Sequence, residues 1–140
     1  MLSLGGYLNI LIAIAHLVGL IWAEQMFDIT GIGQEMQLLA QTHASLPYII
    51  TVFVAIVFFI FGLYGLSADG KFTKLPFLKF GVFAIAAIYL FRGIGELVFD
   101  ISRQYASPFA ETAYSLFAVA IGLLFLFGGL KKWMLKPGQT

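Results

Sequence analysis

The sequence predicts an all-α integral membrane protein, a four-transmembrane-helix bundle built from two parallel helical-hairpin repeats with a short interfacial helix. Three observations carry that prediction. First, 61% of the 140 residues are hydrophobic and 11% charged, with a mean hydropathy of +0.96. No water-soluble domain of this size could hide so much apolar surface. Second, four apolar stretches, about 4–23, 47–66, 77–99 and 109–130, meet the roughly 20 residues needed to cross about 30 Å of hydrocarbon. Third, the two halves of the chain resemble each other. "AHLVGLIWAEQMFDI", from Ala15, aligns without gaps on "AIYLFRGIGELVFDI", from Ala87, sharing Glu-x-x-Phe-Asp-Ile, and "VAIVFFIFGLYGL", from Val54, resembles "VAIGLLFLFGGL", from Val119.

The first span has no basic leading region and no small-residue cleavage site, so it reads as a permanent helix and not a removed signal peptide. "TGIG" at 30–33 ends it. In segment 24–45, Ile32, Met36, Leu39 and His43 then recur at the spacing of a short amphipathic helix, which lies on the outer face of the membrane or caps the bundle. Ser45 and Ser107 each precede an early proline and read as caps that start spans two and four. "ADGKFTKLP", 68–76, is a turn-rich connector between spans two and three. The chain is one membrane domain, 1–140, with repeat one at about 1–68 and repeat two at about 77–132.

Lys71, Lys74 and Lys79 lie between spans two and three, and Lys131, Lys132 and Lys136 follow span four, whereas the opposite side is acidic. The positive-inside rule therefore places both termini in the cytoplasm. Net charge near zero speaks against a nucleic-acid partner. The absence of cysteine excludes dithiol chemistry and thiolate metal ligation. "TGIG" and "RGIGE" follow no strand and are not phosphate loops. Gly93 and Gly95 are expected to let helices approach closely.

Charges inside a span cost at least about 2.5–3.5 kcal/mol on insertion scales and call for a partner or a wet cavity. "YLFRGIGELVFD", 89–100, carries Arg92, Glu96 and Asp100 one turn apart. The repeat pairs Glu96 with Glu24 and Asp100 with Asp28, each pair at one depth near the outer edge of the hydrocarbon. His16 and Arg92 lie at similar depths, roughly 10 Å below the outer boundary at about 1.5 Å per residue. Glu111, with Tyr114 and Ser115 beside it, enters from the rim.

Three arrangements suit these residues. Arg92 neutralises Glu96 or Glu24 in a structural ion-pair network; or Glu24, Glu96, Glu111 and His16 hold zinc or another divalent cation; or close carboxylates share a proton for transport. In layout (size, four spans, an acidic outer face and no soluble domain) the chain resembles small bacterial inner-membrane proteins of the AciT envelope-integrity type, and more distantly DoxX-like four-helix proteins. That resemblance implies a role in maintaining the envelope barrier. The resulting expectation is a non-enzymatic, multi-pass inner-membrane protein with an outward-facing polar pocket for a divalent cation or small polar ligand. Arg92, Asp28, Asp100, Tyr114 and Ser115 balance charge or line that pocket. The partners are the bilayer and a second copy of the chain. The alternatives are a small proton- or ion-coupled carrier acting as a dimer, and an intramembrane metal-dependent enzyme.

Overall fold

The computed structural model describes the backbone of residues 1–103 and 109–135 and the side chains of residues 1–99 and 112–135. Ser107 and Lys136 lie outside the described residues. Six helices occupy the described chain: α1 Leu2–Gly19, α2 Ala23–Ile29, α3 Gly33–Thr42, α4 Leu46–Ala68, α5 Leu78–Arg103 and α6 Phe109–Trp133. Among the described residues four segments are long and apolar enough to cross a membrane: Leu2–Ile29, Leu46–Ala68, Leu78–Phe99 and Thr112–Trp133. The chain is thus a multi-pass membrane protein by length and composition, and helices suit that role because they satisfy every mid-span backbone group internally.

The first span is not continuous. A 3-10 turn, Leu20–Trp22, separates α1 from α2, and Trp22 leaves helical geometry at φ −123° and ψ 50°. The equivalent stretch of α5 runs unbroken to Arg103. Beyond α2, Gly31 adopts φ 80° and reverses the chain into α3, a conformation glycine takes without steric cost. A short helix does follow the break: Met36 and Leu39 of α3 are half-buried, while Leu38 and two of the four residues of the expected stripe, Ile32 and His43, are exposed.

Helices pair as hairpins: α1 packs most extensively on α4, and α5 on α6, while α1–α6 and α4–α5 contacts are sparser. Glycine makes the tight pairings. On α4, a Cβ at Gly65 would stand 2.7 Å from the Leu2 carbonyl oxygen, and one at Gly6 would stand 2.9 Å from the Gly62 carbonyl. Backbones this close are the small-residue packing that membranes favour, where no hydrophobic effect pulls helices together. Gly93 gives α5 the same proximity to α6, 2.8 Å from the Ser115 carbonyl. Gly95 faces open space and supports no approach, contrary to the expectation for it.

The core is uneven along the bundle axis. Leu2, Val82, Ile85, Tyr89, Ile121 and Phe125 are buried toward the end that holds Met1 and the α4–α5 loop. Toward the α2–α3 end, the buried described residues are small ones: Ala13, Ala23, Thr51, Ala55, Gly93 and Ser115. Side-chain bonds fasten the loop at the first end. Ser67 Oγ donates to the Thr73 carbonyl at 2.8 Å and accepts from Leu75 N–H at 3.0 Å, and Tyr64 donates to the Pro76 carbonyl at 3.2 Å. The Asp69 carboxylate accepts from Ser3 N–H at 3.3 Å, capping α1, whose first amides have no partner in their own helix. Hydrogen bonding from Ser3 holds the Asp69 carboxyl below the usual carboxylate value, aided by the N-terminal ammonium and Lys71 and opposed by partial burial.

Candidate functional site

Two groups of described polar residues inside the spans join one helix to another through side-chain hydrogen bonds. The first lies on the half of α5 that is farther from the α4–α5 loop. Arg92 Nε donates to Glu96 Oε1 at 3.2 Å, one helical turn away. The other Glu96 oxygen accepts from Ser115 Oγ of α6 at 2.9 Å. Ser115 is buried because Gly93 lets the two backbones meet at that level. The carboxylate therefore ties α5 to α6 and holds the guanidinium in place. Yet the Arg92 side chain is 60% exposed and that of Glu96 44%. In water such an i,i+4 pair is worth a few tenths of a kcal/mol. Within an apolar span the same exposure sets a full cation and a full anion against hydrocarbon, a second protein surface or water.

The second group was not foreseen. Asn9 of α1 is fully buried, donates from Nδ2 to the Gly5 carbonyl at 2.8 Å and accepts from Tyr89 O–H of α5 at 2.6 Å. This bond crosses from one hairpin to the other, at the well-packed end. Phe58 and Phe61 of α4 pack around the Tyr89 ring, with centroids 6.3 and 6.2 Å away. Every polar atom of the Asn9–Tyr89 pair that is buried has a partner, which makes it a structural clasp and not a waiting ligand site.

The other expected site residues are dispersed or lie elsewhere. His16 turns Nδ1 to the Ile12 carbonyl of its own helix at 2.8 Å and sets its ring 5.2 Å from Phe58. Glu24 is exposed on α2, past the 3-10 turn, and among the described residues it has no ion-pair partner and no hydrogen bond to Glu96. The Asp28 carboxylate lies over Gly33 at the start of α3, where its charge faces the positive end of that helix. Tyr114 is exposed. Asp100 and Glu111 lie outside the residues whose side chains are described. Among the described residues no three of His, Asp and Glu come together as a metal would need. Ser45, placed as a cap on α4, makes no side-chain cap bond and engages His43 Nδ1 at 2.8 Å instead.

Of the expected constellation, then, the fold brings together Arg92, Glu96 and Ser115. Compared with known protein families, with curated proteins and with solved structures, the chain matches none.

Proposed function

We propose that this chain is a non-enzymatic protein of a bacterial cytoplasmic membrane that binds a small polar ligand or a divalent cation at the Arg92–Glu96–Ser115 cluster. One observation carries the reading: a fixed charge pair stands half exposed inside an otherwise apolar span. Its alternatives in bare lipid are costly, and the exposed parts of both charged side chains are open to a ligand. A cation at Glu96 must compete with the guanidinium, so charge decides the affinity. Zinc binding by the purified chain, followed by equilibrium dialysis, should weaken as pH falls, since a ligating carboxylate must be deprotonated. Glu96→Gln should weaken it by about tenfold or more, while Arg92→Gln should strengthen it. A wild-type chain that takes up neither zinc nor any other divalent ion, with no response to either substitution, reduces the cluster to a clamp between α5 and α6.

In this reading the two hairpins are duplicated units related by an axis along the membrane normal. What supports it is the matching pairing of α1 with α4 and of α5 with α6, each through glycine. The amphipathic α3 lies on the membrane surface, both termini face the cytoplasm, and the chain works as a homodimer that supports the envelope barrier. The sparser contact between hairpins than within them also favours a second reading, a small carrier whose hairpins rock against each other. Ion or proton flux into liposomes containing the chain separates the two, because a support protein produces none.

A further inference from the structure

An apolar groove of about 610 Å³ opens between α4 and α5 near the α4–α5 loop, walled by Phe61, Tyr64, Phe77, Phe80, Ala84 and Ile88. A second hollow of about 490 Å³ adjoins it across Phe77 and Phe80 and reaches Lys79. From Phe77 to Ile88 the chain rises about 16 Å at about 1.5 Å per residue. This is half of the roughly 30 Å hydrocarbon thickness, the depth of one leaflet. Three features mark the mouth. Phe77 sits at φ 50°, a conformation rare for a bulky side chain, and its ring is 84% exposed, with Phe80 at 76%. The Phe77 carbonyl accepts from Gly81 N–H at 2.8 Å and so starts α5, which fixes the backbone while the side chain stays outside the bundle. Lys79 borders the second hollow and Lys74 lies three residues before Phe77 on the α4–α5 loop; both are exposed, and among the described residues neither has an ion-pair partner, whereas Lys71 lies over the Tyr7 ring at 5.4 Å. Tyr64 and Ser67 hold the loop that carries Lys74 against the bundle.

We propose that this groove is a binding site for an anionic phospholipid, with one acyl chain lying along α5 between Tyr64 and Ile88 and the phosphate held by Lys74 and Lys79. One lysine bordering an apolar slot one leaflet deep, and a second on the loop just before it, match a ligand with a single-charged phosphate head and a long alkyl tail. A zwitterionic lipid offers the same tail but cancels the head's charge. A second copy of this chain would instead have to bring carboxylates to the two lysines. The lysine end of the site stands at the opposite end of the spans from Arg92 and Glu96, and although the groove reaches Ile88, one turn short of Arg92, the two sites share no residue, so the two proposals stand or fall separately.

The test uses the intact chain in nanodiscs of equal parts phosphatidylglycerol and phosphatidylcholine, with the retained lipid identified by native mass spectrometry after release into detergent. Phosphatidylglycerol should be enriched roughly thirtyfold, the order expected when two lysines each contribute near the surface. The Lys74→Gln/Lys79→Gln pair should abolish the enrichment, while Lys131→Gln/Lys132→Gln, at the end of α6, should preserve it. Ala84→Phe fills the groove and should reduce retention of both lipids. Should that variant fail to fold, phosphatidylglycerol with a photoactivatable acyl chain should attach to wild-type residues between 60–64 and 77–88. Equal retention of the two lipids, enrichment that survives loss of Lys74 and Lys79, attachment spread evenly over all four spans, or cross-links from these residues to a second copy would each overturn the proposal.

Discussion

Asn9 and Tyr89 illustrate what a single residue does in a bundle that lacks a hydrophobic drive between helices. Their hydrogen bond joins α1 to α5, and so one hairpin to the other, at 2.6 Å in a fully buried setting. Tyr89→Phe keeps the ring among Phe58 and Phe61 but leaves Asn9 Oδ1 without its donor. The expected cost is about 1 kcal/mol, in the range found for interhelical bonds within membranes. Denaturation in mixed micelles should show it, and in a cycle with Asn9→Leu the coupling should exceed about 0.5 kcal/mol. Additive effects would mean that the two side chains act independently. The sequence displays Asn9 as an isolated amide in an apolar span, but its partner lies 80 residues away, and no local spacing reveals such a contact. Arg92 and Glu96 were legible because an i,i+4 pair is local. The sequence puts their third partner, Ser115, in the same pocket only as a neighbour of Glu111 at the start of span four, and its bond to Glu96 is a contact between helices that no spacing reveals.

At the scale of helices, hydropathy and length locate the spans to within a few residues, because a membrane selects for apolar length above all. The 3-10 turn at Leu20–Trp22 escaped notice since its residues are as apolar as their neighbours, and that break carries Glu24 onto a separate helix. Equal depth for Glu24 and Glu96 assumed two unbroken helices, and the site residues on α1 and α2 were therefore the least legible from sequence. Helix pairing has a sharper determinant in glycine. Gly65→Val would drive side-chain atoms into the Leu2 carbonyl, which lies 2.7 Å from a bare Cβ, whereas Gly95→Val meets nothing within 4 Å. The first change should destabilise the protein by about 1–3 kcal/mol, as overpacking does, and the second by well under 1 kcal/mol beyond helix propensity. The relevant measurement is the fraction folded across a denaturant titration. Equal effects would remove close backbone approach as the basis of the α1–α4 pair.

For the whole molecule, orientation decides what the uneven core means. Met1, the α4–α5 loop and Lys131 and Lys132 share the closely packed end, while α2, α3, Glu24 and Glu35 gather at the other. Loop lysines resist translocation and loop carboxylates do so far less, so the packed end should face the cytoplasm and the Arg92–Glu96 cluster should lie toward the outside. The chain has no cysteine of its own, and single cysteines can report on this directly. Gln37, exposed on α3, and Gly70, exposed at the loop turn with φ 74°, are suitable positions because neither is packed against another helix. In intact cells a membrane-impermeant maleimide should label a cysteine at Gln37, and one at Gly70 only after permeabilisation. The reverse pattern would turn the molecule over: the Arg92–Glu96 pair would then open toward the cytoplasm, and Lys74 and Lys79 would face the outer leaflet. A role at the outer face of the membrane would fall with it, while the chemistry of either site would stand unchanged.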